Sequence, residues 1–172
     1  MKRDKRTGRG MRPIMAAVFA ALVFSATWIH VPVGFGNVNL GDAMILTAAF
    51  TLNSPWAICA AGVGAMLADL AAGYAVYAPG TLLIKALVAL IAWGGVRLLR
   101  GFSPRVRRIL SGSAAELVMM VGYFVYEGAV LAYGWQGALL GLPLNAVQGV
   151  LGIAVCELLM TALRDRDLTD RG

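Results

Sequence analysis

The chain has 172 residues, of which 59% are hydrophobic and 14% charged, against roughly 45–50% and about 25% in soluble domains, which excludes disorder and an ordinary soluble fold. The length allows one compact unit, at about 100–200 residues per domain, with little room for a separate ATP-hydrolysing or catalytic domain. A net charge of +6 would suit nucleic acid if the cations were spread over one face, but 14 of the 15 Lys and Arg fall in three clusters, which argues for no nucleic-acid partner.

The first cluster, Lys2, Arg3, Lys5, Arg6, Arg9 and Arg12, defines a basic segment 1–12. A bilayer core about 30 Å thick takes roughly 20 mostly apolar residues per spanning helix, and six apolar segments follow within 13–163. The first runs from about Pro13 to Val31, too long for a signal-peptide core and without a cleavage motif of small residues, so it is expected to stay as a membrane helix. The second covers about Asp42 to Leu52. It is too short to cross alone, so the uncharged, glycine-rich stretch Pro32–Gly41 before it is expected to fold over a pocket, an ordinary surface loop being the alternative. After the break Asn53-Ser54-Pro55, the third segment covers about Pro55 to Ala72 and the fourth about Pro79 to Leu99. The second cationic cluster, Arg97, Arg100, Arg105, Arg107 and Arg108, leads into the fifth at about Ile109 to Tyr133. The sixth covers about Leu139 to Leu163, and the tail 164–172 holds Arg164, Arg166 and Arg171. The fold class expected is therefore all-α, an integral membrane protein of six transmembrane helices. Since cytoplasmic connections hold the Lys and Arg, both termini are placed in the cytoplasm, and the outer connections near 32–41, 73–78 and 134–138 contain no cation.

Titratable groups in or beside the spans are few. His30, Asp42, Asp69, Lys85 and Glu127 all fall toward the external face in this topology. Each charge at a helix centre costs about 2.5–3.5 kcal/mol on insertion scales, so a group of them implies a hydrated or paired environment. Lys85 lies about six residues, roughly 9 Å, inside the fourth helix. It either meets an anionic or hydrogen-bond-accepting part of a ligand or forms an internal ion pair with Asp69 or Glu127. Tyr74, Tyr77, Trp135, Gln136, Asn145 and Gln148 stand around it, a mixture suited to a planar, heteroatom-rich molecule, although Tyr and Trp also serve as membrane belts and amides as packing contacts. Asn145 and Gln148, three apart, share a helix face. Glu116 and Glu157 fall nearer the inner face, where pairing with the cytoplasmic arginines or contact with a partner is expected. In the first helix, small residues recur four apart as Ala16/Ala20 and as Ala17/Ala21, extended by Ser25, a face for close helix approach inside the chain or by a separate membrane subunit.

No phosphate-binding loop, His-Glu-x-x-His, serine nucleophile elbow or Cys-x-x-Cys occurs. Cys59 and Cys156 read as small buried hydrophobes, and the lone His30 builds no metal site. No catalytic residue, metal or cofactor is assigned, and the chain reads as a binder rather than an enzyme.

Asn39-Leu40-Gly41-Asp42-Ala43, then Ala68-Asp69-Leu70, then Gly73-Tyr74-Ala75-Val76-Tyr77-Ala78-Pro79-Gly80-Thr81-Leu82-Leu83-Ile84-Lys85 resemble the substrate-binding S components of energy-coupling factor (ECF) transporters. The resemblance covers about residues 12–163. It implies a multi-pass protein of the prokaryotic plasma membrane that captures a water-soluble vitamin or related micronutrient for ATP-driven uptake. The partners implied are a transmembrane T component and two cytoplasmic ATPase subunits, with Ala17 and Ala21, or Ala16 and Ala20, at the T-component contact. Members for riboflavin, pantothenate and pyridoxine or hydroxymethylpyrimidine lie nearest. The substrate-binding set expected is His30, Asn37, Asn39, Asp42, Tyr74, Tyr77, Lys85, Glu127, Trp135, Asn145 and Gln148, with Asn39 standing where the family pattern has His. A solitary carrier using Asp69, Lys85 and Glu127 as a relay, and a ligand-free membrane scaffold, are the alternative functions.

Overall fold

An apolar chain in lipid must satisfy its backbone internally, which helices do, and the computed structural model of this protein is mostly helical. It describes residues 5–33, 36–52 and 54–169; Gly34 and Phe35 of the expected flap, Asn53 of the expected break, and Lys2, Arg3 and Arg171 lie outside the described residues. The order is α1 (Lys5–Trp28), β1 (His30–Val33), β2 (Gly36–Asn39), α2 (Gly41–Leu52), α3 (Trp56–Ala71), α4 (Ala78–Leu98), α5 (Pro104–Val125) with a π-helical extension Tyr126–Val130, α6 (Gly134–Leu139) and α7 (Leu142–Thr169).

Several boundaries differ from the sequence reading. The stretch between α1 and α2 is an antiparallel hairpin, so the all-α expectation needs a two-stranded exception. α1 begins at Lys5, inside the basic segment, and the expected sixth segment is divided into α6 and α7. Among the described residues, four helical stretches are long and apolar enough to cross a membrane: Met11–Trp28, Ala78–Leu98, Pro104–Val130 and Gly134–Leu163. α2 and α3 are shorter.

The short α2 is central. It packs on α1, α3, α4 and α7, and its Ala43, Ile45, Leu46, Ala48 and Ala49 are fully buried. A helix surrounded by protein need not match the bilayer's thickness, because its ends meet other backbone rather than lipid. Val23 of α1, Leu46 of α2, Ala65 of α3, Val88 of α4, Met119 of α5 and Cys156 of α7 join it in one core. Outward positions such as Leu83, Leu117, Val150 and Leu158 are exposed and apolar, as a bilayer-covered surface requires.

Small residues set the helix crossings. A Cβ added at Gly64 would lie 2.5 Å from the Ala20 carbonyl oxygen, and one at Gly62 would lie 2.7 Å from that of Leu82. α3 therefore touches both α1 and α4 backbone to backbone. It ends in a Schellman motif: Gly73, at φ +84°, donates to the Leu70 carbonyl at 3.3 Å, and Tyr74 donates to that of Asp69 at 2.8 Å. This reversal returns the chain over Asp69 and sets Tyr74 and Tyr77 ahead of α4.

Gly64→Ala is expected to push α1 from α3 and lower the melting temperature of the full chain in detergent by several degrees. Gly94→Ala, where a Cβ meets nothing within 4 Å, should leave it unchanged or raise it, since Ala gains about 0.8–1.0 kcal/mol over Gly in a helix. Equal melting of the two variants would refute the close crossing.

Candidate ligand-binding site

Burying an ammonium among apolar helices is tolerable only when it is paired and hydrogen-bonded. Lys85 of α4 meets that condition through Asp42 at the start of α2: its Nζ donates to both carboxylate oxygens, at 2.7 and 2.9 Å, and lies 5.3 Å from the centre of the Tyr123 ring. The ion-pair partner is thus Asp42, not Asp69 or Glu127. Asp42 is completely buried, and Gly152 of α7 leaves room for it, since a Cβ there would sit 3.1 Å from the Asp42 Cβ. Gln148, also on α7, donates to Asp42 Oδ2 at 2.7 Å and accepts the backbone N–H of Asn39 at 3.1 Å. One amide therefore joins the buried pair to the end of the hairpin.

The hairpin pairs His30 with Asn39 and Pro32 with Asn37. Alternation along a strand puts these four on one face and Val31, Val33 and Val38 on the other. Pro32, Asn37 and Asn39 line a cavity of about 380 Å³, at the small end of ligand pockets, which span roughly 300–1,000 Å³. Asn37 Nδ2 donates to the Tyr74 hydroxyl at 3.0 Å, joining the hairpin to the opposite wall. Asn39 also accepts the Gly41 N–H at 2.9 Å, a local turn that starts α2; this is the work done by Asn where the family pattern has His.

The remaining wall comes from α3, α4, α5 and α7: Asp69, Tyr77, Thr81, Lys85, Tyr123, Glu127, Leu144, Asn145 and Gln148 are among its residues. The π-helical turn, closed by Leu131 N–H on the Tyr126 carbonyl at 2.9 Å, carries Glu127; such insertions re-aim side chains and recur at functional sites. Gly141 leaves space for that carboxylate, a Cβ there lying 3.0 Å from Glu127 Oε2. The Tyr77 hydroxyl donates to Glu127 Oε1 at 3.4 Å. Burial, and then the Glu127 charge, push the Tyr77 phenol above the usual tyrosine range, so it remains a donor. Tyr74 stands edge-on to Tyr77, with ring centres 6.5 Å apart.

The structure therefore brings Asn37, Asn39, Tyr74, Tyr77, Lys85, Glu127, Asn145 and Gln148 to one cavity. It sets three expected residues apart. Asp42 lies behind Lys85 and off the wall. His30 turns its Nδ1 to the Trp28 carbonyl at 2.8 Å and packs edge-on against Tyr74. Trp135 is 54% exposed and packs on Phe124 with ring centres 5.4 Å apart, away from the cavity. Thr27, Asp69, Thr81 and Tyr123 also line the cavity and were absent from the expected set, where Asp69 figures only as an ion-pair or relay partner; Thr81 and Tyr123 share a hydrogen bond at 3.0 Å, and both stand a helical turn or two from polar residues already singled out. Glu116 is not paired with cytoplasmic arginines: it is buried against Gly149, with neither carboxylate oxygen hydrogen-bonded. Glu157 does meet one, Arg108, which donates to its two oxygens at 2.7 and 2.8 Å. Among the described residues no His, Cys, Asp and Glu group has metal-site geometry.

The two small-residue registers of α1 separate. Ala16 is buried with Phe19 against Ala48, Ala57 and Ala60, with Ala20 packed beside them, whereas Ala17, Ala21 and Ser25 face outward.

Residues 12–165 match the sequence profile of the ECF-type riboflavin transporter S component family. The thiamine precursor transporter HmpT of Lactococcus lactis subsp. cremoris is 32% identical over 149 residues, 84% of this chain and 82% of that protein. An uncharacterized protein in the gap 3' region of Pyrococcus woesei is 33% identical over 128 residues, 74% of this chain and 82% of that one. In fold, the solved S component of a bacterial ECF transporter superposes with TM-score 0.76 at 22% identity, covering 91% of this chain and 97% of that one.

Lys85→Met strands the buried Asp42 charge, and removing one partner of a buried pair costs about 3–5 kcal/mol. Thermal melts should show a large loss for that variant, a large loss for Asp42→Leu, and a smaller one for the double variant than for either alone. Additive losses would mean the two charges are not coupled.

Proposed function

Because the chain belongs to the S-component family of ECF-type riboflavin transporters, a family of multi-pass transport proteins and not of enzymes, we propose that it captures a small water-soluble vitamin or vitamin precursor from outside the cell. S components act with a T component and ATPases in the ECF system. In this reading the chain crosses the prokaryotic cell membrane six times with both termini inside, and a T component with two cytoplasmic ATPases drives uptake. Ala17 and Ala21 form the docking face for the T component, since Ala16 and Ala20 are occupied by the chain's own core.

The observation that carries the reading is the polar cavity of about 380 Å³ under the hairpin, in a helical bundle whose outward positions are largely apolar. A ligand-free scaffold has no use for such a cavity, and a relay through Asp69, Lys85 and Glu127 is not supported by a Lys85 already held by Asp42. The site residues proposed to touch solute are Asn37, Asn39, Asp69, Tyr74, Tyr77, Lys85, Glu127, Asn145 and Gln148.

Native mass spectrometry of the purified chain against riboflavin, hydroxymethylpyrimidine, pyridoxine and pantothenate is expected to find a sub-micromolar ligand; a panel of water-soluble vitamins with no such ligand would overturn the proposal. Uptake should require the T component and ATPases, and transport by this chain alone would favour a solitary carrier. Ala17→Leu with Ala21→Leu should abolish co-purification of the T component while leaving solute affinity within about twofold, a difference of only ~0.4 kcal/mol.

A further inference from the structure

The sequence leaves Lys85 either to meet an anionic or hydrogen-bond-accepting part of a solute or to form an internal ion pair. The geometry gives the ion pair, with Asp42 as its partner. Both oxygens of Asp42 hold the ammonium from behind the wall, so its charge is answered before any solute arrives. It is the only cation among the lining residues. Two carboxylates from different elements remain on the wall: Asp69 from α3 and Glu127 from the π-helical turn.

Among the described residues neither forms an ion pair: the two bridges run from Lys85 to Asp42 and from Arg108 to Glu157, and Asp69 feels the Lys85 charge only at longer range. Asp69 Oδ2 is buried without any hydrogen bond. Glu127 has a single long donor, the Tyr77 hydroxyl at 3.4 Å. Thr27 Oγ1, also on the wall, is buried and unbonded, and Glu116, behind Gly149, adds a further carboxyl with no donor. A buried acceptor left without a donor costs free energy, and a donor bearing positive charge repays it about twice as well as a neutral one. The Tyr74, Tyr77 and Tyr123 rings on the same wall attract a cation as well as a planar face.

We infer that the site selects a planar nitrogen heterocycle carrying an amino group or cationic N–H, which it directs at Asp69 and Glu127, and that it refuses anionic vitamins. The inference rests on the capture reading and narrows its substrate class. Lys85 then has a different part in recognition: two of its three N–H groups are on Asp42, and the third is left for a neutral acceptor such as a ring nitrogen or hydroxyl of the same solute.

The test uses the full chain in nanodiscs and two matched series. One is pyridoxamine, pyridoxine and 4-pyridoxate, which place an amine, a hydroxyl and a carboxylate on one ring; the other is 4-amino-5-hydroxymethyl-2-methylpyrimidine beside its 4-hydroxy and 4-carboxylate analogues. Pantothenate and riboflavin are included as solutes without such an amine. In at least one series the amine is expected to bind about 100-fold or more tighter than the carboxylate, because like charges set against each other reject the wrong partner. Asp69→Asn should remove at least tenfold of the amine's affinity and change that of the hydroxyl analogue less than threefold. Glu127→Gln is the parallel variant should Asp69→Asn fail to fold.

Equal or tighter binding of a carboxylate, or of pantothenate, overturns the inference and leaves the capture reading standing. So does sub-micromolar riboflavin with both amine series silent, or amine affinity unmoved by both variants. Absence of binding by every solute overturns the capture reading and the inference together.

Discussion

The buried pair of Asp42 and Lys85 is the constraint on which the arrangement depends. Each charge is intolerable alone among apolar helices, so α2 and α4 must meet where the two side chains meet. Gln148 then extends the constraint to α7 by donating to the same carboxylate, and its carbonyl takes up the Asn39 N–H of the hairpin. Four elements share one polar junction, at a depth where each group has little else to bond. The glycine at 152 matters for the same reason, because a side chain there would meet Asp42 at 3.1 Å from its first carbon.

The hairpin inherits its position from that junction. Its inner attachment, Asn39 to Gln148, is partly buried, while its outer one, Asn37 to the Tyr74 hydroxyl, is exposed. Water competes directly for the exposed bond and only weakly for the buried one, so the two differ in net contribution although their lengths are nearly the same. The hairpin thus has a firm root beside Lys85 and a weaker contact across the cavity at Asn37.

Much of this was legible in the residues, for identifiable reasons. Hydropathy found the helical runs, because the bilayer's length requirement is strict. The uncharged stretch before a helix too short to span marked a covered cavity, and the hairpin now stands at that place. Its strand form was also encoded, in the alternation of Val31, Val33 and Val38 with Pro32, Asn37 and Asn39, but glycines on either side of Phe35 invited a loop reading. The identity of the lysine's partner was not legible: Asp42, Asp69 and Glu127 sit on three different elements, and only the packing angle of α2 against α4 decides among them. Trp135 looked suitable by composition, but the π-helical turn and α6 rotate it onto Phe124. Glu116 was misplaced because its depth suggested the arginine cluster, whereas its rotation about α5 turns it to Gly149. In α1, sequence offers two identical small-residue registers, and only burial separates them.

Fold and substrate are written in different residues here. The crossings rest on Gly62 and Gly64 against neighbouring backbone and on the alanines of α1 and α2, features that a chain at 22% identity can share. The cavity wall rests on Asp69, Glu127, the three tyrosines and the hairpin asparagines, any of which can change without moving a helix axis. The matched family is named for riboflavin while a relative at 32% identity is named for a thiamine precursor, which is the disagreement expected when function resides in a site carried on a common fold. The substrate of this chain is therefore to be argued from the groups that face the cavity. There the decisive asymmetry is that its one ammonium is held by Asp42, while its two other carboxyl groups, Asp69 and Glu127, form no ion pair among the described residues.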